Sequence, residues 1–311
     1  MDLVTGATGF IGNNLVKVLQ KKEKVRVLIM ENSDIISLKN MNVEIFHGDL
    51  NDISALEKAV KNIDTVYHLA GFIGGDEFPY SKFRETNVGG TKNLIKACIK
   101  NKVRKFVFTS TVAVIDAIKE ADENAKCNPN TKYGKSKLEA ENFLIDHSDE
   151  INTTILRFSP VYGKGEPEKR RFTRIIKKIA DGKFIIFGKG DNLMPILHID
   201  DAVNAIVLAG KHRETGQIFI ISGESVTMQE LSGMITGYKK IKKTSHLPYF
   251  IGFMAGISLG IIETVTRIKM PLNLGKFRRL FESRSFDTEK AKKVLEWKPK
   301  VKFRDVIDEI I

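Results

Sequence analysis

Near its amino terminus the chain reads Thr5-Gly6-Ala7-Thr8-Gly9-Phe10-Ile11-Gly12. The segment follows Met1-Asp2-Leu3-Val4, which is typical of a short strand, and precedes residues 13–19, whose apolar side chains recur at helical spacing. Such a strand-to-helix turn suits a pyrophosphate, because the ligand can approach bare backbone while the N–H groups at the helix start face the anion. The pattern is G-x-x-G-x-x-G, one residue removed from the dinucleotide fingerprint, and an ordinary turn is the alternative.

The composition is that of a soluble globular protein. The chain has 311 residues, of which 42% are hydrophobic and 28% charged, and this length suffices for one large core or two modest ones. A strand predicted at the first residues leaves no room for a secretory signal. The two cysteines, Cys98 and Cys127, are too few for a disulfide framework. Both observations lead us to expect a cytoplasmic protein.

The formal net charge of +12 would suit nucleic acid, an anionic membrane surface or a phosphorylated small molecule. Much of this charge consists of single lysines on predicted helix faces, without the interleaved aromatic and basic residues that stack on bases. We therefore expect no nucleic-acid partner, and an anionic substrate stays open.

Buried strands alternate with helices in the first half of the chain. Strands are predicted at residues 25–30, 43–46, 65–69, 103–109 and 153–157, with long helices at 82–101 and 131–147. The alternation predicts an α/β fold with a doubly wound parallel sheet, whose ligand site lies at the carboxyl ends of the strands. After residue 160 the alternation is lost. We expect a cofactor-binding domain over 1–160, to which 190–212 return, and a smaller α/β substrate-binding region over 161–311.

Tyr133 and Lys137 lie four residues apart on the second long helix. This spacing puts both on one face, where the ammonium can lower the pKa of the phenol and bring a proton acceptor into range near neutral pH. A solvated helix face is the alternative for such a pair. The order of elements favours the functional interpretation, because the helix follows a strand that ends in Thr109-Ser110-Thr111 and both follow a glycine-rich turn.

In these motifs the chain resembles the extended short-chain dehydrogenases/reductases, and in particular their NAD-dependent epimerase/dehydratase branch. The likeness extends over nearly the whole chain and rests on eight motifs in family order. They are residues 5–12, Gly48-Asp49-Leu50, His68-Leu69-Ala70-Gly71, Asn87-Val88-Gly89-Gly90-Thr91, 109–111, 133–137, His198-Ile199-Asp200-Asp201-Ala202 and Trp297-Lys298-Pro299. The resemblance implies a Rossmann-like domain that binds NAD(P), with a nucleotide-sugar or related substrate above the nicotinamide.

The resemblance also implies a catalytic set of Tyr133, Lys137 and Thr111. Tyr133 would be the base, Lys137 would bind the nicotinamide ribose and tune Tyr133, and Thr111 would hydrogen-bond the reacting hydroxyl. Many family members carry Ser at the position of Thr111, and a Thr hydroxyl has the same donor and acceptor capacity. Ser110 is the alternative for this role, and Asn87 is expected to support the site rather than to react.

A cofactor-binding set is implied at the ends of the predicted strands. Asp49 and Leu50 would contact the adenine, and residues 69–71 would line the cofactor. The full set is Gly6, Gly9, Phe10, Ile11, Gly12, Glu31, Asp49, Leu50, Leu69, Ala70, Gly71, Thr109, Tyr133, Lys137 and Pro160.

The end of the second strand, Met30-Glu31, favours NAD over NADP. NADP-dependent reductases that resemble this segment often carry Arg at position 30, whereas Met30 has no charge. Glu31 would repel a 2′-phosphate and could accept a hydrogen bond from a 2′-hydroxyl. A tightly held NAD suits a redox-neutral cycle, in which hydride leaves C4 of a sugar and returns to the other face of the keto-sugar.

The implied substrate contacts are Thr111, Tyr133, Ser159, Arg174 and Arg278. The segment around Ser159 is similar to the one that meets the diphosphate in sugar-nucleotide 4-epimerases, with Ser159 in place of the usual Asn, and Arg278 falls near a diphosphate-binding Arg of such enzymes. Met194 stands where those enzymes usually have an Arg, and here the chain is closer to hydroxysteroid and dihydroflavonol reductases. Arg174, Arg279 or a lysine would then replace that Arg.

His198 has a structural explanation. Asp200 is placed as a helix N-cap, with Asp201 and Ala202 in the first turn and His198 packed beside it. The six histidines lack metal-ligand spacing, so we expect no metal.

A lysine-rich run, Lys239-Lys240-Ile241-Lys242-Lys243, precedes residues 247–262, which carry no charge. This apolar run is shorter than the ~20 residues of a membrane-spanning helix. Gly252, Gly256 and Gly260 form a stripe on which another helix could pack. We favour a helix of the substrate region or a dimer face over a lysine-assisted membrane contact.

The sequence therefore predicts a homodimeric, NAD-dependent 4-epimerase of the UDP-glucose or UDP-N-acetylglucosamine class. The alternative is an NADPH-dependent reductase of the dihydroflavonol-reductase or hydroxysteroid-dehydrogenase type. A non-catalytic dinucleotide sensor is disfavoured, because Tyr133, Lys137 and Thr111 are all present.

Overall fold

The computed structural model describes residues 1–75, 77–115, 119–168, 170–266, 275, 277 and 281–311. Its strands are β1 (Asp2–Thr5), β2 (Val25–Ile29), β3 (Val43–His47), β4 (Thr65–His68), β5 (Lys105–Thr111), β6 (Asn152–Phe158), β7 (Val161–Tyr162), β8 (Ile185–Phe187), β9 (Leu193–Pro195), β10 (Leu197–His198), β11 (Gln217–Ile221), β12 (Ser225–Thr227) and β13 (Ser245–Leu247). Its α-helices are α1 (Phe10–Leu19), α2 (Ile53–Ala59), α3 (Tyr80–Phe83), α4 (Gly90–Lys100), α5 (Lys132–Asp146), α6 (Arg171–Ala180), α7 (Ile199–Lys211), α8 (Met228–Lys239), α9 (Tyr249–Thr266), α10 (Glu289–Val294) and α11 (Ile307–Ile310).

Seven strands form one parallel sheet in the order β11-β6-β5-β4-β1-β2-β3. The order reverses beside β1, since the chain moves outward through β2 and β3 on one side and through β4, β5 and β6 on the other. Open parallel sheets bind ligands in the crevice outside the carboxyl ends of the strands at such a reversal. Thr5 and His68 pair across β1 and β4 there. The predicted α/β, Rossmann-like doubly wound sheet is confirmed.

Side chains of the central strands alternate between two apolar layers, as the period of two in a strand requires. In β1, Leu3 packs with the layer under α2, α4 and α5, and Val4 packs with the layer under α1 and α7. In β5, Phe106 and Phe108 face the first layer and Val107 the second. Strands buried on both faces need continuous apolar sequence, which is why the sequence pattern located them.

The helix predicted over residues 82–101 is present but interrupted. Between α3 and α4 lies a π-helical segment, Arg84–Gly89. The wider π turn carries Asn87, which is 1% exposed. Such single-turn π segments occur within α-helices, and the sequence analysis did not distinguish this one from an α-helical turn.

The carboxyl-terminal half adds elements to the large sheet and builds a smaller apolar cluster. Helix α7 packs beside α1, and β11 extends the sheet beyond β6. The smaller cluster lies between α6, α8 and the last residues, around Phe303 and Ile307. Our division into a cofactor-binding and a substrate-binding part stays a prediction.

The start of α7 differs in one detail from the prediction. His198, not Asp200, is the N-cap, because its Nδ1 accepts from the Asp200 N–H at 3.3 Å. Asp201 instead holds the carboxyl-terminal segment: its carboxylate accepts from the N–H groups of Lys300 and Val301, both at 3.0 Å. The Trp297 indole donates to the Asp201 carbonyl at 2.9 Å. The two late motifs are thus one structural unit.

Helix α9 lies at the edge of the smaller part. Within the described residues it is the one helix long and apolar enough to cross a membrane. Gly252 faces Phe187 of β8, and a Cβ on this glycine would lie 2.7 Å from the Phe187 ring and would also strike Phe277. Gly252 therefore packs the start of the helix against these aromatic rings.

Candidate active site

The glycine-rich turn leads directly from β1 into α1. Gly6 has a φ of +74°, and a Cβ there would lie 2.7 Å from the backbone nitrogen of Ala70. A Cβ on Gly12 would strike the carbonyl oxygen of Gly6. Only glycine fits at these two positions, and their close packing brings the start of α1 against the end of β4.

The amino-terminal end of α1 fits an anionic group. Gly9 is the N-cap and supplies no side-chain hydrogen bond, and the first turn contains no acidic residue. The N–H groups of Phe10, Ile11 and Gly12 belong to a first turn, where helical N–H groups have no partner inside the helix. These donors and the positive end of the helix dipole suit the pyrophosphate of a dinucleotide.

The predicted adenosine contacts lie at the ends of β2 and β3. Glu31 is exposed two residues past the end of β2, and its carboxylate lies 3.6 Å from Nδ1 of His47. This carboxylate can accept from ribose hydroxyls and disfavours a 2′-phosphate. Asp49 is exposed, and half-buried Leu50 is held by Asn93, whose amide donates to the Leu50 carbonyl at 3.0 Å. His47 was not predicted, since one exposed histidine gives no sequence signal.

A buried hydrogen-bond chain runs under the crevice through His68. The Ala70 N–H donates to Thr5 Oγ1 (3.1 Å), and Thr5 Oγ1 lies 2.7 Å from His68 Nδ1. On the other side, His68 Nε2 lies 2.9 Å from Thr91 Oγ1, which donates to the Asn87 carbonyl at 2.7 Å. Because the Thr91 proton is already used, Nε2 must donate and Nδ1 must accept. Burial, aided by the charge of Lys137, lowers the pKa of His68 to about 3, so the ring is neutral.

Asn87 ties three elements together from the π turn. Its Oδ1 accepts from the Phe72 N–H at 2.7 Å, and its Nδ2 donates to the Ser136 hydroxyl at 2.8 Å. Ser136 in turn donates to the Tyr133 carbonyl at 2.8 Å. Asn87 thus fixes the β4 loop, containing predicted cofactor contacts Leu69, Ala70 and Gly71, relative to α5. This is the supporting role that the sequence predicted.

The predicted catalytic residues come from the end of β5 and the start of α5. Thr131 caps α5 by accepting from the Gly134 N–H at 3.0 Å, and a Cβ on Gly134 would lie 2.6 Å from the Ala113 carbonyl oxygen. The Tyr133 end of α5 therefore packs against the turn that follows Thr111. The Thr111 hydroxyl accepts from the Ala113 N–H at 3.1 Å, and a hydroxyl that accepts one bond can still donate one. The Thr109 hydroxyl donates a hydrogen bond to the His68 carbonyl at 3.2 Å.

The lowering of the Tyr133 pKa by Lys137 stays a prediction. Burial raises the pKa of Tyr133 to about 12, and the charge that opposes this rise belongs to Arg170. Lys137 is 4% exposed, with its ammonium 3.8 Å from the centre of the Phe108 ring. Burial lowers the pKa of Lys137 to about 7, against the opposing charge of Glu141. The lysine is therefore only partly charged near neutral pH, and a hydrogen-bonding role remains.

Arg170 is the functional candidate that the sequence did not reveal. It precedes α6 as its N-cap, and its guanidinium lies 5.6 Å from the centre of the Phe10 ring at the start of α1. Its charge also acts on Tyr133 and on Glu166. The side chain thus brings a permanent cation to the crevice between the glycine turn and the tyrosine. Arg170 lies among several basic residues of a loop, where spacing cannot identify the inward one.

The remaining predicted cofactor and substrate contacts, and the alternative Ser110, differ in burial. Ser159 is 2% exposed, and among the described residues its hydroxyl and that of Ser110 have no hydrogen-bond partner. Pro160 and Arg174 are exposed. Arg278, and with it Arg279, lies outside the described residues. The roles assigned to these residues stay predictions.

Arg157, two residues before Ser159, has a structural role. Its Nη2 lies 2.8 Å from the Glu141 carboxylate, and the two side chains are 4% and 1% exposed. A charge neutralised and buried in this way is not available to a diphosphate. The pair joins β6 to α5, one helical turn beyond Lys137.

A sequence model described as the NAD dependent epimerase/dehydratase family matches residues 3–222. The chain belongs to this family. The predicted membership is confirmed, and so is the predicted cofactor, NAD. The match spans the whole seven-stranded sheet, including β11.

Individual relatives are similar along nearly the full chain. The Escherichia coli O157:H7 protein named N-acetyl-alpha-D-glucosaminyl-diphospho-ditrans,octacis-undecaprenol 4-epimerase is 29% identical over 298 residues, covering 93% of this chain and 88% of that protein. Human short-chain dehydrogenase/reductase family 42E member 1 is 28% identical over 329 residues, covering 95% and 83%. The structure of UDP-glucuronic acid 4-epimerase from Bacillus cereus in complex with NAD has a TM-score of 0.79 at 25% identity, covering 99% of this chain and 98% of that one.

Proposed function

We propose that the protein is an NAD-dependent 4-epimerase of a diphosphate-linked hexose or N-acetylhexosamine that acts through a transient 4-keto sugar. The observation that carries this proposal is Arg170, a permanent cation that lies 5.6 Å from the centre of the Phe10 ring and whose charge acts on Tyr133. A cation beside the proposed base favours an anionic substrate, and therefore a sugar diphosphate over the apolar carbonyl compound of the alternative reductase. Exposed Glu31 supports NAD and, with it, a reaction without net oxidation.

Thr111 and Tyr133 have different roles in this reaction. Thr111 donates a hydrogen bond that orients the C4 hydroxyl, and Tyr133, as phenolate, takes its proton. NAD, when bound, would supply the acceptor for the C4 hydride and the donor that returns it. The C4–H and O–H bonds are thus broken, and a C4 ketone remains with the proton on Tyr133. Once the 4-keto sugar has rotated to present its other face, Tyr133 would return its proton to the C4 oxygen as the same hydride equivalent is restored to C4, so the cycle has no net oxidation or reduction.

The phenol needs help to ionise, because burial raises its pKa to about 12. Arg170 opposes that rise, and the positive charge of an oxidised nicotinamide would act in the same direction. Lys137 and Thr111 then serve to position groups by hydrogen bonding rather than to supply the main charge.

UDP is the carrier that the sequence predicts, and UDP-sugar 4-epimerases are among the structural relatives. A polyprenyl diphosphate is the second candidate, favoured by the name of the Escherichia coli relative. Both carriers present the same diphosphate to Arg170, and they differ in what lies beyond it.

The proposal is tested with purified protein and no added cofactor. UDP-glucose, UDP-N-acetylglucosamine and N-acetylglucosaminyl diphosphate polyprenol in detergent are incubated separately, and the 4-epimers are separated by chromatography. We expect epimer formation from at least one of the three. Steady oxidation of NADPH with a carbonyl substrate, without sugar interconversion, would support the reductase instead.

A further inference from the structure

Helix α9 presents a continuous apolar face to solvent. Phe250, Met254, Ile261 and Val265 are 66%, 43%, 60% and 78% exposed. Their spacing of four, seven and four residues places them within about 60° of one another around the helix axis. Single exposed apolar residues are ordinary, whereas four in a row on one helix face indicate a surface that contacts a protein partner or a membrane.

The opposite side of the helix is fixed to the protein. Gly252 and Gly256 are buried, and Tyr249 makes an edge-to-face contact with Phe281, with ring centres 4.7 Å apart. Glu263, the one acidic residue of the helix, lies on this side of the helical wheel, away from the apolar row. The helix is therefore presented in a defined orientation, with its uncharged face outward.

Four lysines precede this face in the chain. Lys239, Lys240, Lys242 and Lys243 are all exposed. Five residues separate Lys243 from Tyr249, so Lys243 lies within about 20 Å of the start of α9 and Lys239 within about 35 Å. Two copies of the chain packed face to face about a twofold axis would bring these like charges together. An anionic partner would instead be attracted by them.

We propose that α9 lies in the interface of an anionic lipid bilayer, with Phe250, Met254, Ile261 and Val265 in the acyl boundary and the four lysines among the headgroups. An apolar helix face flanked by lysines is the arrangement that binds such surfaces. The helix lies on the bilayer rather than crossing it, because its buried glycines keep it on the protein and its 18 residues reach about 27 Å. The inference does not depend on the proposed reaction. It reverses our preference from the sequence for an internal helix or a dimer face.

The test is sedimentation with sucrose-loaded vesicles of phosphatidylcholine alone or with 30% phosphatidylglycerol. We expect at least tenfold stronger partition onto the anionic vesicles, weakened by 0.5 M salt. The triple variant F250S/I261S/V265S should bind the anionic vesicles at least tenfold more weakly than the wild type. Its matched control is I36S/I53S/I73S, which changes three isoleucines that are 71%, 55% and 66% exposed elsewhere and should bind like the wild type.

The charge contribution is tested by K242E/K243E against K21E/K22E, which makes the same change at two exposed lysines beside α1. Only the first pair should weaken binding. Phe250→Trp gives a second readout, since its fluorescence should shift to shorter wavelength with anionic vesicles only.

The proposal is overturned by three results. They are the absence of binding to anionic vesicles, equal binding by the two triple variants, and light scattering that shows a dimer dissociated by F250S/I261S/V265S. In the last case a second copy, not lipid, covers the face.

Discussion

The crevice around His68 and the outer face of α9 differ in where their side chains find partners. In the crevice, Thr5, His68, Thr91 and Asn87 are buried and satisfy one another through a single hydrogen-bond chain. On α9, the apolar side chains are directed to solvent. The first region is thus assembled before any ligand arrives, because unsatisfied buried polar groups are costly. The second region gains its stabilisation only from outside the protein.

The largest effect is expected at the proposed base. Tyr133→Phe removes the proton acceptor and should lower turnover about 10³-fold, within the range for loss of a general base, while NAD stays bound. Turnover and nucleotide content are measured on the same preparation. Tyr80→Phe is the control, because Tyr80 donates to Glu139 outside the crevice and should leave turnover unchanged. Near-normal activity of the Tyr133 variant would remove this residue from the mechanism.

The buried ion pair behind the crevice should dominate stability. Glu141→Gln leaves Arg157 buried without its counter-charge and should lower the free energy of unfolding by about 3–5 kcal/mol. Glu139→Gln changes the same residue type in the same helix, but its partner Arg84 is 62% exposed, so about 0–1 kcal/mol is expected. Denaturant unfolding measures both. Equal losses would show that burial does not distinguish the two pairs.

Lys137 should give stability a specific pH dependence in protein freed of nucleotide. The folded protein holds this lysine at a pKa of about 7, whereas the ordinary value is 10.5. At a pH between these two pKa values, the unfolded chain binds more protons than the folded protein. The free energy of unfolding therefore rises with pH, by about 2 kcal/mol from pH 7 to 9. Lys137→Met should remove this part of the rise. The same pH profile in variant and wild type would mean that the lysine is not desolvated in solution.

A smaller effect is expected at Arg170. Loss of one charge-assisted contact to the substrate diphosphate, worth roughly 1.5–3 kcal/mol, should raise KM about 10- to 100-fold in Arg170→Ala. Arg174→Ala, one turn along α6 and exposed, is the comparison, and it also tests the residue that the sequence favoured. A larger effect at Arg174 would reverse the assignment.

The smallest effect separates the two regions most clearly. Without vesicles, F250S/I261S/V265S should unfold within about 0.5 kcal/mol of the wild type, because exposed side chains away from special features contribute little. A loss of several kcal/mol would show that the outer face of α9 is covered within the folded protein.

The sequence predicted the sheet well and the environment of the site less well. The strands were located because burial on both faces demands apolar runs, and Tyr133, Lys137 and Thr111 because motifs keep their order. The π turn at Asn87 was not predicted, since one turn is too short for the apolar pattern to distinguish it from an α-helical turn. The action of the Arg170 charge on Tyr133 was not predicted, because helical spacing reports neighbours on one helix and not side chains from other elements. Arg170 approaches from a distant loop, and only the fold brings it to Phe10.

The central claim is that hydride leaves C4 of a sugar diphosphate and returns to the same carbon. It is tested most directly with a substrate carrying deuterium at C4, chosen from whichever diphosphate sugar is turned over, in the absence of added cofactor. Mass spectrometry and proton NMR of the separated 4-epimer report where the deuterium lies. The account predicts an epimer that keeps its deuterium at C4. An epimer in which solvent hydrogen has replaced it, or a keto product with reduced nucleotide, would contradict the claim.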